Sequence, residues 1–128
     1  QQRGARTWLR IDRDPNLAGV YVSAIPSAVK ELLTLEGLAP ADIALVLPPH
    51  LPATALDALA ARIGIARSRF ADVFADLQAD GVVTDPFTSS LPYGLQHARQ
   101  HGLVKPGDIA LVVAVGSGVE VGCTTYRF

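Results

Sequence analysis

The chain has 128 residues, 49% of them hydrophobic, with a mean hydropathy of +0.28 and a formal net charge of −1 at pH 7. This length and apolar content are typical of one compact domain and exclude a disordered chain. The near-neutral charge favours neither nucleic acid nor an anionic membrane as a partner, and no apolar run approaches the roughly 20 residues that a membrane-spanning helix needs.

The ends and the cysteine content of the chain suggest its setting. One cysteine cannot form an internal disulfide, and no signal peptide is present, so we expect a cytoplasmic protein. The chain begins Gln1-Gln2-Arg3 and contains no methionine. We interpret it as a piece of a longer protein.

Apolar residues at helical spacing predict three helices, each bounded by a proline or serine and by a glycine. The first has Pro26 in its first turn and ends at Gly37, with the apolar residues Ile25, Val29, Leu32 and Leu33 on one face. The second runs from Pro52 to Gly64 with Leu56, Leu59, Ala60 and Ile63 on one face, and the third runs from Ser89 or Ser90 to Gly102 with Leu91, Leu95 and Ala98.

Apolar runs between these helices predict four strands, Gly19–Ser23, Ile43–Leu47, Ile109–Val115 and Val119–Phe128. Runs that are apolar on both faces are typical of interior strands in a sheet that is covered on both sides. The last run alternates imperfectly, with Val119, Val121, Cys123 and Thr125 on one face. The segment Ala66–Thr84 is predicted as a short strand or irregular segment followed by a loop.

Two stretches of the chain resemble each other. Residues 37–47 read GLAPADIALVL and residues 102–113 read GLVKPGDIALVV. Both combine a helix end, a short turn containing proline, an aspartate and a buried strand. Two such junctions favour an α/β fold in which layered helices pack on a mixed β-sheet.

The C-terminal stretch KPGDIALVVAVGSGVEVGCTTYRF (105–128) resembles the end of β-ketoacyl-acyl-carrier-protein synthase III and its relatives in the thiolase superfamily. That family ends in a Lys-Pro-Gly-Asp turn, a hydrophobic strand, a glycine-rich turn and a last strand finishing Arg-Phe or Arg-Trp. The segment VLPPHLPAT (46–54) is similar to the family's strand, Pro-His and helix, and the likeness covers roughly residues 19–128.

The resemblance implies that residues 1–128 form a single thiolase-like half-domain, the C-terminal one. In this family the nucleophilic cysteine belongs to the N-terminal half of a duplicated fold, which this sequence lacks. Cys123 falls in the last strand, where the family has a small core residue, and no motif near it would activate a thiolate. We therefore predict that Cys123 is structural.

His50 follows the end of a predicted strand. From the residues alone, a structural histidine is the commoner role, although ligands of α/β sheets do bind at the carboxyl ends of strands. The resemblance implies a catalytic role, in which this histidine works beside the cysteine, stabilises developing negative charge and handles protons.

Asp85 occupies the place of the family's second partner, an asparagine in a pattern resembling Asn-Thr-Ser-Ala-Ala-Ser-Ile-Pro. Counting back from the matching Pro92 places Asp85 there. An ionised aspartate donates no hydrogen bond to an enolate oxygen, but it can orient a histidine and support its imidazolium. The alternative is a turn residue before Pro86.

The glycine-rich turn Gly116-Ser117-Gly118 is a tight connection between strands, and such turns favour glycine. The resemblance implies that one backbone N–H of this turn helps to form an oxyanion hole. We assign that role to the Ser117 amide.

The resemblance implies that the protein takes an acyl group from an acyl-carrier-protein or coenzyme A thioester, and Asp85 in place of the family's asparagine favours a hydroxyl or amine as the acceptor. Two alternatives stay open: decarboxylative condensation in fatty acid or polyketide synthesis, and a non-catalytic partner subunit of the same fold. We expect no tightly bound cofactor, a coenzyme A or phosphopantetheine thioester as substrate, a homodimer when the protein is full length, and an inactive fragment when this chain is alone.

Two further signals carry less weight. His97 and His101 lie four residues apart on a predicted helix, a spacing that suits a metal ion, but no motif supplies a third ligand and we predict no metal site. Four arginines surround Trp8, namely Arg3, Arg6, Arg10 and Arg13, but aspartates interrupt them and the balance of charge is acidic. We interpret that segment as a solvated strand or loop.

Overall fold

The computed structural model describes residues 14–71, 73, 75, 90–116 and 118–128. Its elements in chain order are α1 (Leu17–Glu36), β1 (Ile43–Leu47), α2 (Ala53–Ile63), α3 (Ser90–Gln100), β2 (Ile109–Gly116) and β3 (Glu120–Arg127), with 3₁₀ turns at Pro40–Asp42 and Arg67–Arg69. The strands form one sheet in the order β1-β2-β3, in which β1 and β2 are parallel and β3 is antiparallel to β2. The predicted mixed sheet is confirmed.

Both faces of β1 and β2 are buried, because helices cover the sheet on two sides. Ile43, Val46, Leu111 and Val113 pack in one cluster with apolar residues of α1 and α2. Leu45, Leu47, Ala110 and Val112 belong to a second cluster, which includes Ala98 and Leu95 of α3. The layered arrangement of helices on a mixed sheet is therefore confirmed, and it explains why these strands are apolar throughout.

The strand predicted for Gly19–Ser23 is wrong, because these residues belong to α1. This helix begins at Leu17 and continues through Pro26, which therefore does not begin it. A five-residue apolar run has the same composition in a strand as in a buried helix, so the run alone does not distinguish them. The buried residues of the whole helix do show helical spacing, at Tyr21, Val22, Ile25, Val29 and Leu33.

A neighbouring helix compensates for Pro26. Proline has no backbone N–H, so inside a helix it leaves the carbonyl four residues earlier without its usual donor. That carbonyl belongs to Val22, and Nη1 of Arg62 on α2 donates a hydrogen bond to it at 3.4 Å. The contact between α1 and α2 thus makes a proline acceptable at a position where local sequence disfavours one.

The two similar stretches form similar structures. Asp42 accepts a hydrogen bond from the Ala39 N–H at 2.7 Å, and Asp108 accepts one from the Lys105 N–H at 2.8 Å. Each aspartate thereby closes the turn that precedes a strand. The strands then start in register, with Ile43 of β1 opposite Ile109 of β2, and the helix before each turn ends at a left-handed glycine, Gly37 or Gly102.

The other elements match their predictions, with differences at individual residues. The predicted buried face of α2 is confirmed residue by residue, and Gly64 ends the helix. In α3, Leu91 is 38% exposed, whereas Gly94 and Ala98 are buried. The last strand begins at Glu120, one residue later than predicted, because Val119 has a φ of +64°, which a strand does not allow.

In the segment Ala66–Thr84, the predicted short extended piece is present at Phe70, whereas the described residues Val73 and Ala75 are helical where a loop was predicted. Phe70 forms an isolated parallel bridge with Val46, and the Ala71 N–H donates to the Val46 carbonyl at 2.9 Å. Residues 72, 74 and 76–84 of this segment lie outside the described residues. Within the part of the chain that the structure describes, no helix is long and apolar enough to cross a membrane.

Gly94 lets α3 approach the sheet closely. A Cβ at this position would lie 3.0 Å from Cδ2 of Leu47 and 3.2 Å from Cγ2 of Val73. We expect Gly94→Val to overpack this contact and to destabilise the full-length protein by about 1–3 kcal/mol, measured as a lower unfolding temperature. Gly19→Ala is the control, since nothing lies within 4 Å of that position and the change should leave stability equal or higher.

Candidate active-site edge of the sheet

Two prolines end β1 and place His50 at its carboxyl end. Pro48 and Pro49 follow Leu47, and neither has an N–H with which to continue the ladder of sheet hydrogen bonds. The chain bends at His50, whose side chain is half-buried between the buried residues Pro49 and Leu51. The histidine is therefore held by packed neighbours at the rim of the sheet.

The end of β2 lies at the same edge as His50. Leu47, the last residue of β1, pairs with Val112 of β2, and β2 then continues to Gly116. Because β1 and β2 are parallel, His50 and Gly116 both extend from the same edge, each a few residues beyond that pair. This edge is where α/β sheets place their ligands.

An unusual turn leads from β2 into β3. Gly118 has a φ of +85° and Val119 a φ of +64°, so two consecutive residues adopt the left-handed conformation. The Tyr21 hydroxyl of α1 donates a hydrogen bond to the Gly116 carbonyl at 3.0 Å. A side chain at Gly116 would contact Glu120, since a Cβ there would lie 3.5 Å from the Cβ and the Oε2 of Glu120.

The structure describes one of the three predicted site residues. It places His50 at the predicted edge, whereas Asp85 and Ser117 lie outside the described residues. The pairing of His50 with Asp85 and the role of the Ser117 amide therefore stay predictions. Tyr21 is not among the predicted site residues, although a tyrosine on an apolar helix face is a useful signal, because its buried hydroxyl needs a partner.

Cys123 lies on the covered side of β3. It is half-buried, and it packs against the cluster beneath α1 and α2. Burial raises the pKa of its thiol, because an apolar environment disfavours the thiolate. The thiolate is the nucleophilic form of cysteine, so a thiol that ionises less readily reacts more slowly. This agrees with the structural role predicted for Cys123.

His97 near the end of α3 contacts His101, which follows the helix. The rings of His97 and His101 stack with their centroids 4.0 Å apart, and Nδ1 of His101 lies 3.0 Å from the His97 carbonyl oxygen. Tyr93 extends the stack, with its ring centroid 6.0 Å from that of His97. Among the described residues, no group of three or more histidine, cysteine, aspartate or glutamate side chains could hold a metal ion.

The chain has a mixed sheet between helices, with a histidine after one of its parallel strands. Its likeness to solved structures shows that this α/β half-domain is thiolase-like. Residues 33–128 match the family model described as 3-oxoacyl-[acyl-carrier-protein (ACP)] synthase III C terminal. The chain belongs to this family.

Curated relatives agree with this assignment. The β-ketoacyl-[acyl-carrier-protein] synthase III of Aquifex aeolicus is 29% identical over 109 residues, which are 85% of this chain and 33% of that protein. The protein of the same name from Acidiphilium cryptum is 30% identical over 107 residues, or 84% of this chain and 32% of that one. The chain thus spans about a third of the length of these relatives.

Solved structures show the same fold. The 3-oxoacyl-[acyl-carrier-protein] synthase III of Aquifex aeolicus matches with a TM-score of 0.70 at 25% identity, over 88% of this chain and 35% of that one. The synthase III of Thermus thermophilus matches with a TM-score of 0.73 at 23% identity, over 100% of this chain and 38% of that one.

Proposed function

We propose that this chain is the C-terminal part of an acyltransferase, which takes an acyl group from an acyl-carrier-protein or coenzyme A thioester and delivers it to a hydroxyl or amine. The observation that carries the proposal is the position of His50 at the carboxyl edge of the sheet, beside the end of β2. Membership of the synthase III family supports the thioester donor. The remaining length of the relatives leaves room for an N-terminal part that supplies a cysteine nucleophile.

In the first half of the proposed reaction, the cysteine thiolate attacks the thioester carbonyl of the donor. The carbonyl π electrons move onto oxygen, and the oxyanion accepts hydrogen bonds from backbone N–H groups, among them that of Ser117. When the intermediate collapses, the carbon–sulfur bond to the carrier breaks. The carrier leaves as a thiolate that takes up a proton, and the acyl group stays on the cysteine.

In the second half, His50 accepts the proton of the acceptor hydroxyl or amine as that oxygen or nitrogen attacks the acyl-enzyme. Asp85 accepts a hydrogen bond from the other ring nitrogen, which fixes the tautomer and stabilises the imidazolium. The second oxyanion collapses and releases the cysteine. The proton on His50 then returns to the cysteine or to solvent, and an ester or amide leaves.

Decarboxylative condensation is the second candidate, because the matched relatives are named as synthases of this type. That reaction forms an enolate, whose oxygen needs hydrogen-bond donors. Asp85, where the resembling family has asparagine, offers no N–H when it is ionised. This residue is the reason for preferring transfer to oxygen or nitrogen.

Intact-mass measurement of the full-length protein after incubation with acyl-coenzyme A distinguishes an enzyme from a non-catalytic subunit. We expect a covalent acyl adduct on a cysteine of the N-terminal part. Cys123→Ala is the matched control and should retain the adduct, because the Cys123 thiol packs against the core cluster. The absence of any adduct across short and long acyl chains would favour the non-catalytic alternative.

A further inference from the structure

Tyr21 connects the core to the candidate site. Its side chain is 7% exposed, and its ring packs in the cluster beneath α1 and α2. Its hydroxyl donates a hydrogen bond at 3.0 Å to the carbonyl of Gly116, the last residue of β2. A residue of the first helix thus holds the end of a strand that lies at the far end of the sequence.

The Gly116 carbonyl and the backbone N–H that follows it belong to the same peptide group. In a trans peptide the carbonyl and the following N–H lie in one plane and point in opposite directions, so a bond that fixes the carbonyl also fixes the direction of the N–H. A donor to the carbonyl also polarises the peptide group and makes its N–H a stronger donor. The N–H of this peptide group is the one that the family resemblance assigns to the oxyanion hole.

We propose that Tyr21 is a positioning residue for acyl transfer, because its hydroxyl orients and polarises the peptide group that begins at the Gly116 carbonyl. The inference rests on the proposed function. Tyr21 acts through that peptide group and does not itself contact the reacting atoms.

The backbone next to this peptide group explains why an outside anchor is needed. Gly116 has no side chain with which to pack, and the turn continues with a left-handed glycine at Gly118. Val119 is also left-handed, which is costly for a β-branched residue and persists only where surrounding contacts impose it. The Tyr21 hydrogen bond is a contact from the rigid core to the start of this turn.

Tyr21→Phe in the full-length protein tests the proposal, since it removes the hydroxyl and keeps the buried ring. Tyr126→Phe is the matched control: the Tyr126 hydroxyl also has a hydrogen-bond partner, Nη2 of Arg99 at 2.7 Å, but Tyr126 pairs with Ala110 near the other end of β2. For Tyr21→Phe we expect kcat for acyl transfer to fall about tenfold, the net value of roughly one hydrogen bond, with KM unchanged. The control should keep both parameters.

A second measurement reports on the peptide group independently of activity. Glycine labelled with ¹³C at the carbonyl and serine labelled with ¹⁵N select Gly-Ser pairs, and residues 1–128 contain one, at Gly116-Ser117. Ser117→Ala identifies its signal in the full-length protein. Loss of the hydrogen bond should move the Gly116 carbonyl resonance upfield in Tyr21→Phe and leave it in place in Tyr126→Phe.

The combined results decide the proposal. An upfield shift together with a lower kcat supports it. An unchanged resonance overturns it, and so does a shifted resonance with an unchanged kcat, which would mean that the bond has no role in transfer. If the wild-type protein forms no acyl adduct, the proposed function fails instead, and the resonance still shows whether Tyr21 holds this peptide group.

Discussion

His50→Ala in the full-length protein is expected to slow transfer to an alcohol or amine by roughly 10²–10⁴-fold, the usual contribution of a general base. In the proposed mechanism His50 accepts the proton of the attacking hydroxyl or amine, so its removal leaves this step without a general base. Formation of the acyl-cysteine does not require that proton transfer. The variant should therefore still gain the acyl mass and accumulate it, and quenched-flow mass spectrometry would follow the gain and loss of the adduct.

His101→Ala is the matched control for this change. His101 is an exposed histidine directly after the end of α3, and its ring stacks on that of His97 in the helix. It should transfer the acyl group at the wild-type rate. A His50→Ala protein with a wild-type circular dichroism spectrum and unimpaired transfer would show that His50 is not the general base.

Local signals were sufficient where a helix had clear boundaries. The second helix was predicted with its buried face correct, because Pro52 and Gly64 bound an apolar pattern of helical period. The first helix starts earlier than its prediction, because a proline such as Pro26 is typical of a first turn, whereas here it lies inside the helix. What permits a proline inside this helix is Arg62, a distant residue that bonds to the Val22 carbonyl, and no local pattern reveals such a partner.

The buried residues of α3 also differ from those predicted by local sequence. Leu91 was predicted to be buried from its apolar character, whereas Gly94 was not considered, because glycine has no side chain to contribute to a pattern. In the structure the face of the helix that carries Gly94 meets the sheet, and a Cβ at this position would lie 3.0 Å from Cδ2 of Leu47. Helical spacing predicts that the helix has an apolar face. Which residues are buried depends on how the helix packs against the sheet.

Only part of the candidate site could be predicted from the sequence, because some of its contacts are local and others join distant residues. The order strand, proline, proline, histidine is local, and it placed His50 at the end of β1. The hydrogen bond from Tyr21 to Gly116 joins residues from opposite ends of the chain, and it became possible only when α1 packed beside the sheet. A single sequence can indicate that a buried tyrosine hydroxyl needs a partner, but the identity of that partner depends on the completed fold.

Asp85→Asn in the full-length protein is expected to reduce transfer to hydroxyl or amine acceptors by roughly 10²–10⁴-fold, with little change in the formation of the acyl-enzyme. An amide can still accept a hydrogen bond from the histidine, but it carries no charge to stabilise the imidazolium, and its own N–H can select the wrong tautomer. The rate of transfer from preformed acyl-enzyme measures the effect.

Asp57→Asn provides the control for loss of a carboxylate. Asp57 forms an exposed ion pair with Arg67 at 3.1 Å on the outer surface of α2, a type of contact that contributes about 0–1 kcal/mol. Transfer by this variant should equal that of the wild type. If Asp85→Asn also transfers at the wild-type rate, the orienting role of Asp85 is wrong.

The same variant separates the two candidate reactions. Asparagine at position 85 restores the residue of the resembling condensing enzymes and supplies an N–H that can stabilise an enolate oxygen. With a malonyl thioester as acceptor, Asp85→Asn should therefore condense faster than the wild type while it transfers more slowly to alcohols and amines. A wild-type protein that condenses readily, and loses this activity with asparagine, would show that the aspartate serves carbon–carbon bond formation.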